Sequence, residues 1–176
     1  MNLIDKKNIN SQIGKSSFWM PRKIVGLCEY IAGIEEIDEI IGKQNFFKIN
    51  PVINFLIHKE GLEISIVHNF KLRYIALKNS EIQNVILEKG NIIDTQNRSV
   101  IGRAIVGNLL FGQTGAIIGA MSGTMKDIVK ENDKLVIMLN VEDKEQAFLF
   151  EIKKGKTIEV SKFFKENYQR IFSING

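Results

Sequence analysis

Cysteine occurs once in the 176 residues, at Cys28, and proline only at Pro21 and Pro51. One thiol cannot close an intrachain disulfide, so packing must hold the fold, and Cys28 suits a reducing compartment as a small buried side chain. Histidine is almost as scarce, with His58 and His68 alone. They stand about a strand length apart and are not expected to share a metal or a proton. The acidic group Glu35, Glu36, Asp38 and Glu39 has no histidine beside it and reads as the solvated face of a short helix. The N-terminus, MNLIDKKNINSQIGKSS, lacks the continuous apolar stretch of a secretory signal, so a cytoplasmic chain is expected. No motif for an activated nucleophile is present, and catalytic residues, cofactor and metal are all expected to be absent.

Hydrophobic residues make up 44% of the chain and charged residues 25%, too apolar a balance for disorder. One compact domain with an insertion fits this length. Lysine and arginine total 24 against 20 acidic residues, a net charge of +4. That excess permits an anionic surface without demanding one.

Residues 1–23 are polar and asparagine-rich and read as a loose N-terminal arm, with Phe18, Trp19, Met20 and Pro21 as its apolar anchor. Ile24 to Ile31 suits a strand; Ile34, Ile37, Ile40 and Ile41 then repeat at helical spacing between Gly33 and Gly42. From Phe46 the period becomes two. Phe46 to Ile57, the turn His58-Lys59-Glu60-Gly61, and alternating Leu62, Ile64 and Ile66 predict a hairpin with one buried face. Pro51 cannot donate to a ladder, so the first of these strands must be an edge, bent or interrupted there. Leu72 to Leu77 and Ile82 to Glu88 predict two more strands, and Leu135 to Val141 with Gln146 to Ile152 predict a second hairpin. A final helix is expected from Thr157, as its cap, to Ile171, with Val160, Phe164, Tyr168 and Ile171 on one stripe.

Between these β segments lies SVIGRAIVGNLLFGQTGAIIGAMSGTM, residues 99–125, without charge from Ala104 to Met125. Gly107, Gly112, Gly115, Gly119 and Gly123 punctuate it, and the last three, four apart, would stack on one helical face. As one helix the uncharged part is about 33 Å long, enough to span about 30 Å of hydrocarbon. Gly112-Gln113-Thr114-Gly115, however, has turn chemistry, which favours a helical hairpin packed through glycine. Such a hairpin could cover the β domain, pack with its own copies or enter a membrane. Arg98, Arg103 and Lys126 flank the run and could contact an anionic surface, as could Lys71 and Arg73. The glycine spacing matches neither a Walker loop, since no glycine of the run precedes lysine, nor a dinucleotide fingerprint with its G-x-G start.

The hairpin HKEGLEISI, the segment LRYIALKNSEIQNVILEKG and the closing pair with its helix from Leu135 to Phe172 resemble the pleckstrin-homology-like (PH-like) superfold, specifically small bacterial PH-like or GRAM-like domains. GRAIVGNLLFGQTGAIIGAMSG resembles the glycine-rich insertion of a bacterial subset of that family. The resemblance implies an α+β fold: a PH-like antiparallel β-barrel or half-barrel (24–90 and 131–176), a C-terminal helix, and an inserted glycine-zipper hairpin (91–130). It implies a binding scaffold, not an enzyme. Lipid-binding members carry a K-x-n-K/R-x-R pattern in an early hairpin loop; Lys71 and Arg73 match it only in part and in a different strand. The expected protein is an adaptor, a homo-oligomer or partner of another protein, cytoplasmic or peripheral to an anionic membrane. The alternatives are a small mobile-element or phage effector that inhibits a host complex, and a nucleic-acid-binding module. Nucleic acid is the less expected partner, resting only on the net charge, Lys71, Arg73 and nearby aromatics.

Overall fold

The computed structural model describes residues 3–16, 22–42, 50–90 and 132–175. In chain order the described elements are α1 (Lys6–Ile13), β1 (Lys23–Ala32), α2 (Glu35–Gly42), β2 (Val52–Ile57), β3 (Gly61–His68), β4 (Lys71–Lys78), β5 (Ile82–Glu88), β6 (Lys134–Val141), β7 (Lys144–Ile152), α3 (Thr157–Asn167) and β8 (Phe172–Asn175). The expected glycine hairpin, the five glycines, Arg98, Arg103 and Lys126 lie outside the described residues, as do Phe18 to Pro21 and Phe46.

Alternating apolar residues make β2 to β7 strands, and short polar turns between most of them fold the strands into antiparallel neighbours. The eight strands form one sheet in the order β4-β3-β2-β1-β7-β6-β5-β8. Two meanders, β1 to β4 and β5 to β7, meet where β1 pairs with β7. β1 shifts register between Val25 and Cys28 against β2, and again between Tyr30 and Ala32 against β7. Such irregularities bend a strand and raise its twist, which lets β1 serve both halves. Between the halves sits an aromatic core of Tyr30, Phe55, Phe148, Phe150 and Phe164, all fully buried. Phe55 meets Phe150 and Phe164 edge-on at 5.3 and 5.2 Å, the geometry that ring quadrupoles favour.

The sheet is open rather than a closed barrel, because β4 and β8 stand at its two ends. α3 seals the gap by burying Val160, Phe163, Phe164 and Tyr168 in the main core, as the expected stripe requires, and the Tyr168 hydroxyl donates to Asn79 Oδ1 between β4 and β5 at 3.3 Å. Thr157 is not the cap but the first helical residue, and its hydroxyl bonds to Asp133 Oδ2 instead. The helix also stops before Ile171, whose carbonyl accepts from the Val85 N–H, and the chain goes on as β8, parallel to β5. Four residues are too few to display a strand period.

Residues 3–16 are not a loose arm. Ile4 bridges Tyr74 on the β4 edge, and α1 buries Ile9 and Ile13 against Tyr74. Covering the second face of β3 and β4 also alters the first hairpin, which was expected to bury only one. Glu63 and Ser65 alternate with Leu62, Ile64 and Ile66 as read, yet both are buried. Gly61 permits the close fit: a Cβ there would lie 2.0 Å from the Leu77 carbonyl oxygen and 2.7 Å from Ile13 Cγ2. Pro51 falls just before β2, an internal strand, so interruption is what it imposes.

Candidate functional site

The register places the β1–β2 connection, the β3–β4 turn and the β6–β7 turn at one end of the sheet: Glu29 pairs with Val52, Val52 with Val67, and Tyr30 with Phe150. α2 plugs this end. Its Ile37, with Ile34 just before it, is buried in the main core. The Ile34 N–H donates to the Tyr30 hydroxyl oxygen at 2.6 Å, that hydroxyl donates to Asp38 Oδ1 at 2.7 Å, and the Gly33 N–H donates to Asp38 Oδ2 at 3.1 Å. Gly33 has φ +108°, and a Cβ on it would stand 2.0 Å from the Ala147 carbonyl oxygen, so the plug needs glycine at that step. Burial raises the Asp38 carboxyl above the usual range, and the two donors only partly offset it. Burial also pushes the Tyr30 hydroxyl well above its ordinary value, so it stays protonated and acts as the donor.

Around the plug runs a mixed rim. Glu35 and Glu39 on α2, and Glu142 and Asp143 in the β6–β7 turn, are exposed. The β3–β4 turn consists of Asn69 and Phe70, both with positive φ, and Phe70 is fully exposed. Glycine is the usual second residue of such a turn, so a bare phenylalanine there sits in a conformation that costs it energy. Leu72 and Val67, cross-strand partners beside it, are also exposed.

Of the residues singled out for anionic contact, Lys71 and Arg73 are described. Lys71 is exposed opposite His68; Arg73, two residues on, is half-buried opposite Ile66, and its Nη1 is buried without a hydrogen-bond partner. Burial, aided by the Arg73 charge, lowers the His68 pKa from its ordinary value. Arg73 also lines a shallow hollow of about 500 Å³ with Leu3, Ile4, Asp5, Asn8 and Leu72. Its lining is mixed, with Asp5 among the residues that bound it. His58 lies elsewhere: one ring nitrogen meets the Gly14 carbonyl oxygen at 2.7 Å and the other Glu63 Oε2 at 2.9 Å, fastening the end of α1 to the β2–β3 hairpin.

At the opposite end of the sheet the chain leaves at Gly90 and returns at Asn132. The Gly90 N–H donates to Asp133 Oδ1 at 2.7 Å, the Thr157 hydroxyl takes Oδ2, and the Asp133 carbonyl accepts from the Ile152 N–H at 2.8 Å. Asp133 therefore ties β5, β6, β7 and α3 together where both ends of the glycine-rich segment emerge. Sequence reading missed Asp133 and the His58–Glu63 pair. Asp133 has no local signature, since Thr157 lies 24 positions away, whereas His58 and Glu63 stand five apart across the β2–β3 turn, and the signal missed was that close spacing.

Among the described residues no group of three or more His, Cys, Asp or Glu could hold a metal ion. Cys28 is buried, and burial pushes its thiol up to about 12, far from a reactive thiolate at neutral pH. No described helix is long and apolar enough to cross a membrane. A family model described as "glycine zipper containing PH domain" matches residues 42–161, about two thirds of the chain. Neither the curated proteins nor the solved structures yield a match.

Proposed function

Because the chain belongs to the family of glycine-zipper-containing PH domains, we propose that it is a non-enzymatic adaptor whose β scaffold engages a protein while the glycine-rich run self-associates or docks on a membrane. The observation that carries the choice of a protein is the plugged end. In the resemblance drawn from the sequence, a phosphoinositide needs a basic early loop. Here the β1–β2 connection instead carries α2, held down through Tyr30 and Asp38 and presenting Glu35 and Glu39 to solvent. Carboxylates at that place repel a phosphorylated headgroup. Phe70, Leu72 and Val67, at the same end of the sheet, supply the exposed apolar surface that protein interfaces use, with these charges at the same end. The uncharged stretch of the glycine run supports the second half of the proposal, since so bare an apolar segment is rarely left in water.

Light-scattering mass and pelleting with anionic liposomes, each on the full chain and on a variant lacking 101–125, test this reading. A homogeneous oligomer or liposome pelleting that disappears with the deletion, while the β domain stays folded, is the expected outcome. A monomer that ignores liposomes in both forms removes the second half of the proposal. Pelleting that survives the deletion but is lost in Lys71→Glu would point to a lipid-binding scaffold and overturn the first half.

A further inference from the structure

Where α1 meets the β4 edge, an unmatched donor stands in an open hollow. Leu3, Ile4, Asp5, Asn8, Leu72 and Arg73 bound about 500 Å³, a volume typical of small-ligand sites. The Arg73 Nη1 has no hydrogen-bond partner, and a guanidinium donor held out of water without an acceptor is costly. Asp5 does not serve it, since its carboxylate faces Lys7 Nζ at 3.6 Å. Leu3, Ile4 and Leu72 make the rest of the lining aliphatic. The strand edge is open at the same spot. Asn69 and Phe70 form a two-residue turn, so His68 and Lys71 are a hydrogen-bonded pair, and alternation then points the backbone groups of Leu72 and Tyr74 away from β3. The Tyr74 carbonyl accepts from the Ile4 N–H at 2.9 Å. Past Ile4 the chain leaves the edge, because Asp5 caps α1 and its carbonyl accepts from the Asn8 N–H. β4 ends the sheet, so among the described residues Leu72 has no strand beside it on that side.

We infer that this hollow binds the carboxyl terminus of a partner chain whose last residue is aliphatic. Such an end carries, on neighbouring atoms, each thing the hollow lacks. Its carboxylate matches the planar fork of Arg73, its side chain covers Leu3, Ile4 and Leu72, and its backbone amide meets the open Leu72 edge. A phosphate fits less well. It brings no apolar group, and its second charge is repelled by Asp5 in the lining and by Glu36, which accepts from the Leu3 N–H at 3.4 Å. The inference rests on the reading that the β scaffold engages a protein, and it names the segment engaged. The two fail separately: the hollow is tested with peptides and Arg73, the scaffold reading with liposomes and Lys71.

Chemical-shift titration of the full-length protein tests it with four probes: N-acetyl-Gly-Leu as the free acid, the same peptide as its C-terminal amide, N-acetyl-Asp-Leu amide, and inorganic phosphate. The free acid is expected to move the Asn8, Leu72 and Arg73 signals at millimolar concentration. Its C-terminal amide should bind roughly tenfold more weakly or worse, as the loss of a charged hydrogen bond requires. His68 is a second reporter. Burial and the Arg73 charge hold its pKa down, so a bound carboxylate raises it, while His58, fastened to Gly14 and Glu63, does not respond. Arg73→Gln should abolish both effects, and Phe70→Ser, outside the lining, should leave them unchanged. Equal binding of the Gly-Leu acid and amide overturns the inference. So does equal binding of the Asp-Leu amide, which would make this a site for side-chain carboxylates, or of phosphate, which would make it a general anion site. Silence from all four probes overturns it as well. Should Arg73→Gln fail to fold, the acid and amide compared on the native chain decide alone.

Discussion

On the outer side of β2 to β4 the covered residues are mixed: Tyr74 packs with Ile9 and Ile13 of α1, while Glu63 is paired with His58 and Ser65 with Asn54 at 3.1 Å. On the outer side of β5 to β7 they are aliphatic, and none carries a side-chain hydrogen bond to satisfy. A buried polar set can be covered only by a partner with groups at fixed places, here α1 ending in the Gly14 carbonyl. An aliphatic set gains from any apolar surface laid over it, because the hydrophobic effect has no direction. One sheet thus carries a specific face and a permissive face. The specific one is closed by neighbouring chain, the permissive one lies beside a long insertion.

The contrast holds only if both faces belong to one cooperative unit. Phe150 tests this, since it lies beneath both halves, edge-on to Tyr30, Phe55 and Phe148 at 6.2, 5.3 and 6.5 Å. Phe150→Ala should cost about 4 kcal/mol in urea unfolding, with both halves losing structure in the same transition. Separate transitions by circular dichroism and hydrogen exchange would mean that the halves are independent, and the comparison would lapse.

The specific face is broken next by His58→Ala, which strands the Glu63 carboxylate in a buried site. A loss of about 3 kcal/mol is expected, with exchange protection falling in α1 and β2–β3 and persisting in β6–β7. His58→Leu combined with Glu63→Leu should recover much of it, since the paired apolar replacement leaves no orphan. A smaller effect, about 1 kcal/mol, follows from Thr157→Val, which frees one oxygen of Asp133. Protection should then fall at Gly90 and at the start of α3 while α1 is untouched.

The smallest effect comes from pH. His68 has a lowered pKa in the fold against 6.5 in the open chain, so below about 6.5 the unfolded chain binds the extra proton. The His68 contribution is complete above that value and is lost as pH falls through the window beneath it. Stability curves of the native chain and His68→Gln between about pH 7 and pH 5 should converge towards the acid side. Parallel curves would show that His68 is indifferent to folding.

Strand periods were the legible part of this molecule. Ile82 to Glu88 is β5 as read, and the inward Phe148, Phe150 and Ile152 of β7 lie in the core as their alternation required. Both errors at the termini arise where length or composition hides the pattern: α1 has only two buried residues among eight, and β8 has four residues altogether. The α2 plug was half legible. Its isoleucine spacing predicted a helix, but nothing local announced that Tyr30 would turn Asp38 from a solvated acid into a tether. The Asp133 tie was not legible at all, because its partners Gly90, Ile152 and Thr157 come from three separate stretches of chain.

That tie also makes the scaffold tolerant of the length of what it carries. The Gly90 N–H is bonded to Asp133 Oδ1 at 2.7 Å, so the described chain leaves before residue 91 and returns after residue 131 at neighbouring points of the β5–β6 pair. For a loop whose ends are already fixed, each doubling of length adds only about 0.6 kcal/mol of closure entropy. By closure entropy alone, a shorter or a longer run could be held at the same position at almost the same cost. The β5–β6 junction therefore works as a socket, in which the length of the insert can change at little cost of closure.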